Sequence, residues 1–199
     1  MGRIALVAAL ALALGLLAWQ HRRAEAAEGR LAAIASEVAG RDVGVSCQGR
    51  MGAVLDVSAE AGAVEFDADG RPADSTELKR GICTALERFP HERLRPEFRC
   101  LERDERCPQH VVASAWAVQT LAHESWHLRG ERDEARTECF GLQTTAYVAG
   151  RLGAHAFQAQ ALALYLYKHV YPGMPQHYRS VECRDGGSLD LRPDSAVWP

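Results

Sequence analysis

Apolar residues run without a charge from position 4 to position 19, and only after that does the chain begin to alternate. As a helix the run is about 24 Å long at ~1.5 Å per residue, a little short of the ~30 Å hydrocarbon core of a bilayer. The stretch 25–39 then places Leu31, Ile34, Ala35 and Val38 on one helical face, and Gly40 ends it. Extended runs at 43–47, 53–58 and 63–66 follow, punctuated by Gly49, Gly52, Gly62 and the Asp69-Gly70 pair. That rhythm predicts a small antiparallel meander. Asp74 as N-cap with Glu77 three residues on predicts a helix running to about Phe89, before Pro90. Residues 90–108, rich in Pro, Arg and Glu, read as a connecting loop carrying one helical turn.

The second half of the chain has helical spacing. A helix over 109–129 is closed by Gly130, a second over 133–151 by Gly150 and Gly153, and a third over 155–171 by Pro172-Gly173. The third is apolar nearly all round, with Leu162, Leu164, Leu166, Tyr165, Tyr167 and Tyr171, so it reads as core. His155 and His169 on it read as packing or interface residues. Beyond Met174 the tail carries Pro175, Gly186-Gly187, Pro193 and Pro199 and reads mostly as loop. The sum is an α+β fold: a small N-terminal antiparallel β meander followed by a mainly α-helical region.

Composition narrows the setting. The 199 residues suit one domain plus a terminal extra, and a formal charge of −3 gives no reason to expect nucleic acid as a partner. Arg93, Arg95 and Arg99 cluster, but Glu92, Glu97 and Glu102 dilute them into what reads as a solvated mixed-charge face. The apolar run favours an uncleaved membrane anchor over a removed signal peptide. Ala24-Glu25-Ala26 is a possible cleavage site, yet Arg22 and Arg23 stand where a cleaved signal is neutral. Those two arginines outweigh Arg3, which taken literally keeps the domain inside. Six cysteines argue the other way, for an exported and disulfide-bonded domain, with Cys100 and Cys107 placed to close the loop between them.

The chemistry lies in His123-Glu124-Ser125-Trp126-His127. Histidines four apart on a helix project one turn apart from the same side, so both imidazoles can reach one ion. The glutamate between them can stand beside that ion and act as general base toward its water. Winding the helix puts Val111, Val112, Ala115, Val118, Ala122 and Trp126 on one broad apolar face, with the histidines at its edge. If Gly130 turns the chain back, Glu134 and Glu138 come opposite the histidines.

His123-Glu124-x-x-His127 followed by Glu134-x-x-x-Glu138 resembles the gluzincin pattern of zincin metallopeptidases, over about residues 118–143. The resemblance implies Zn²⁺ as cofactor, Glu134 as third ligand, Glu138 as the partner that orients a ligating imidazole, and Glu124 as catalytic base. It also implies a zincin-like domain over 28–180, between the membrane segment 1–27 and the tail 181–199. Glu stands at 138 where those families carry Asp, and the gap between His127 and Glu134 is shorter than theirs. A second registration, through Gly130 to Asp133, resembles metzincin-like proteases with an aspartate ligand. Asp133 is, however, a natural N-cap, and the tail has no Met-turn beyond what Met174 offers.

The leading expectation is thus a membrane-anchored or secreted zinc metallopeptidase whose domain lies outside the cytoplasm and whose substrates are peptides. His177 and Tyr178 are candidates to steady an oxyanion. One alternative is a membrane-tethered binding module, with Cys139 completing a closed structural zinc site. Another is an assembly or immunity factor that keeps the metallopeptidase shape without turnover.

Overall fold

The computed structural model describes residues 2–49 and 61–199, apart from the side chains of residues 2–11, 13 and 17. The expected strand at 53–58 lies outside these residues. So do most side chains of the apolar run, and among the described residues no helix is long and apolar enough to cross a membrane. Helix α1, Gly2–Ala39, carries that run and the amphipathic stretch as one continuous element. Its last turns bury Leu31, Ile34, Ala35 and Val38, the stripe that the spacing predicts. Gly40 at φ +71° then turns the chain out of the helix.

The sheet departs from the expected meander. Its strands are β1 (Gly44–Cys47), β2 (Gly62–Ala63) and β3 (Ser75–Leu78), in the order β1-β3-β2. β1 and β3 run parallel, Gly44 facing Ser75, while β2 pairs antiparallel with β3, Gly62 facing Leu78. The predicted helix start at Asp74 is therefore wrong, because 75–78 alternate exposed and buried. Thr76 and Leu78 point into the core, and that period of two outweighs the capping pattern. Helix α2, Arg80–Glu92, begins two residues later and carries Pro90 inside its last turns. The connecting segment holds the short helix α3, Arg99–Glu102.

Helix α4, Gln109–Arg129, has the predicted bounds but not the predicted exposure. It runs through the middle of the molecule and buries Ser114, Gln119, Thr120 and Ser125 as well as its apolar residues. These polar positions are tolerated because each is hydrogen-bonded: Thr120 to the carbonyl of Trp116, Ser125 to that of Leu121, Ser114 to Glu92 and Gln119 to Glu138. Helix α5, Glu134–Arg151, packs antiparallel along it, and α6, Ala156–Tyr165, follows, continuing as a π turn over Leu166–Val170. His155 caps α6 and His169 pairs with Asp104 at the surface.

Three disulfides close the architecture. Cys47–Cys83 joins β1 to α2, Cys100–Cys107 closes the loop expected from the sequence, and Cys139–Cys183 ties α5 to the tail.

Candidate metal centre

Two helix ends and one glycine build the site. Gly130, left-handed at φ +113°, ends α4 by turning its N–H back to the carbonyl of His127. Asp133 then opens α5, its carboxylate accepting from the N–H of Arg136 at 2.9 Å. The close approach of the two helices depends on Gly141, where an added Cβ would stand 3.1 Å from the Cα of His123. This packing brings Glu134 and Glu138 alongside the histidines, one turn apart.

Each imidazole is held by its Nδ1. His123 Nδ1 donates to Glu138 Oε2 at 2.9 Å, and His127 Nδ1 donates to the carbonyl of Glu131 at 2.7 Å. The tautomers assigned from these partners leave both Nε2 atoms as acceptors, 3.0 Å apart. Glu134 Oε2 lies 3.3 Å from one and 3.4 Å from the other. Three acceptors at such distances repel unless a cation stands between them. With only a proton available, His123 takes it. Burial opposes its charge, but the hydrogen bonds to Glu134 and Glu138 outweigh burial and push it up to about 10. The same contacts with His123 and His127 hold the Glu134 carboxyl well below the usual carboxylate range.

The donor set also fits a metal ion. A tetrahedral ion with bonds of ~2.0–2.1 Å separates its ligand atoms by about 3.3–3.4 Å. Nitrogen and carboxylate donors at 3.0–3.4 Å are close to that spacing before any adjustment. His123, His127 and Glu134 could therefore hold a metal ion. No protein-family model, curated protein or solved structure matches the chain.

Glu124 lies beside these atoms and is only 4% exposed. It is buried because β2 and β3 cover it. Thr76 Oγ1 is 3.4 Å from its Oε2, and Gly62 passes so close that an added Cβ would stand 2.8 Å from its Cδ. Burial raises its carboxyl above the ordinary value, against the opposing pull of His123 and His127.

The site opens into a cleft of about 710 Å³. Residues 61–64, Trp116 and, from the tail, Met174, His177 and Tyr178 line it. The Tyr178 ring lies 6.0 Å from that of His123, centroid to centroid, so the tail borders the site.

Two candidate ligands are excluded by their own partners. Asp133 is exposed and occupied as the N-cap of α5. Cys139 is bonded to Cys183, so it has no thiolate to close the site. The binding-module alternative thereby loses its fourth ligand.

The structure adds residues that sequence reasoning passed over. Gln119 Nε2 donates to Glu138 Oε2 at 2.7 Å, steadying the group that orients His123. Its signal was present, since it stands four residues before His123 on the same helical face. Thr76 and Gly62 had no such signal. They reach Glu124 only through the sheet.

Proposed function

We propose that the chain is a zinc-dependent metallopeptidase. One observation carries the reading: two imidazole nitrogens and a carboxylate oxygen converge at 3.0–3.4 Å in a cleft that also holds Glu124. Imidazole and carboxylate donors at this spacing suit zinc, which His123, His127 and Glu134 would hold. Zinc, when bound, supplies Lewis acidity that polarises a carbonyl and acidifies a water.

The remaining chemistry belongs to the chain. Glu138 and the carbonyl of Glu131 fix the two imidazoles with their Nε2 atoms inward. Glu124 takes a proton from the attacking water and passes it to the leaving amine. Burial raises its carboxyl pKa, which makes it the stronger base toward that water. Tyr178 and His177, which line the same cleft, are the groups we assign to hydrogen-bond a polarised carbonyl oxygen. The disulfides agree with export to an oxidising compartment, and the apolar run at 4–19 with a membrane tether.

The test is Glu124→Gln. The change keeps volume under Gly62 and Thr76 but removes the base. Zinc should stay bound at one per chain while turnover of a peptide library falls by about 10²–10⁴-fold. Equal turnover in wild type and variant would end this reading.

A further inference from the structure

Away from the cleft, Arg93, Arg95 and Arg99 surround a second cavity of about 240 Å³, with Glu102, His155 and Gln158 completing its wall. The sequence interleaves these arginines with glutamates, but the fold separates the two sets. Glu92 accepts from Ser114 instead, and Glu97 is not among the residues around the cavity. Among the described residues none of the three guanidiniums has a carboxylate partner, so the cavity carries a concentrated positive charge opposed by Glu102 alone.

The cavity is also built from inside. Arg93 packs against Gly153, whose φ is +98°, its guanidinium 3.4–3.9 Å from where a Cβ would stand. Its carbonyl accepts from Gln158 Nε2 at 2.9 Å, which fixes both residues. Among the described residues two polar atoms here, both closed to solvent in this conformation, have no partner: Arg93 Nε, a donor, and Gln158 Oε1, an acceptor. Gln158 is only 5% exposed, so its oxygen has little water to turn to. The start of α6 forms the same wall, and its positive end adds to the field.

We infer that this cavity binds an oxyanion that keeps a hydroxyl at neutral pH, with inorganic phosphate as the matching species. Arginine forks and the Arg93 Nε–H supply donors to the anionic oxygens. Gln158 Oε1 needs a donor from the ligand, which hydrogen phosphate has and sulfate lacks. A buried acceptor left facing a bare anion is the discriminating element.

The test is calorimetric titration of the full chain with inorganic phosphate and with sulfate, at pH 7 and matched ionic strength. Running it with and without added zinc separates any phosphate that ligates the metal centre, which appears only in the zinc-dependent part. The zinc-independent part should show one saturable phosphate site, with sulfate at least about 10-fold weaker. Arg95→Ala and Arg99→Ala, both at exposed side chains, should each weaken phosphate by about 10-fold without affecting folding. Gln158→Leu should abolish the preference for phosphate. Should that buried variant fail to fold, the arginine variants and the anion comparison decide alone. No saturable phosphate binding up to roughly 10 mM, equal affinity for the two anions, or indifference to both arginine changes would overturn the proposal.

Discussion

Replacing Glu138 separates what its charge does from what its shape does. Its Oε2 accepts from His123 Nδ1 at 2.9 Å and from Gln119 Nε2 at 2.7 Å, while Oε1 is buried and has no partner among the described residues. In Glu138→Gln the amide oxygen can take both hydrogen bonds, and the amide nitrogen falls where Oε1 already lacks a partner. Geometry is kept and the charge is lost. A hydrogen bond to a charged group contributes about 1.5–3 kcal/mol and a neutral one about 0.5–1.5, so the difference is roughly 1–1.5 kcal/mol. Zinc affinity should therefore fall about 5- to 12-fold. Glu138→Ala strands both donors as well, and affinity should fall toward the 100-fold end of the range for such supporting groups. It should also cost about 2–5 kcal/mol of stability. Competition against a chromophoric zinc chelator at constant pH measures both affinities, and chemical unfolding measures the stability. Affinities within twofold of wild type in both variants would show that Glu138 does not support the site.

Metal binding should compete with the proton on His123. In the metal-free protein its raised pKa contributes stability that is complete below about 6.5 and is lost as the pH rises through about 10. Zinc needs the neutral ring, so the rise in Tm on adding zinc should grow between pH 6 and pH 8; a rise independent of pH would refute the competition. Gly62→Ala puts a methyl group against Glu124 Cδ, so turnover should fall at least about 10-fold while zinc remains bound. Unchanged turnover would show that the Glu124 carboxylate tolerates displacement. Removing Cys139–Cys183 by paired substitution to Ser should lower stability by about 2–4 kcal/mol. It should also loosen the segment carrying His177 and Tyr178, cutting kcat/KM with zinc occupancy unchanged. Full activity with a loosened tail would remove those two residues from the mechanism.

Much of the centre was legible because its geometry is local. The 3.6-residue period places His123 and His127 on one side of α4, and Gly130 with the Asp133 cap turns Glu134 and Glu138 back toward them. A single turn and two helices require no long-range information. Cys100–Cys107 was likewise within reach, since its ends stand seven positions apart. The failures lie where distant segments meet. Residues 75–78 carry a capping pattern as well as a strand alternation, and only pairing with β1 and β2 selects the strand. Spacing along α4 marks one apolar face, yet Ser114, Gln119, Thr120 and Ser125 are buried as well, and no spacing along one helix reveals that. Cys139 beside Glu138 looked like a ligand until the tail, 44 residues on, supplied its partner. Periodicity determines what one segment can present. Whether a polar residue becomes a ligand, a support or a cap depends on what the rest of the chain brings against it, because a buried polar group is stable only where its partners are.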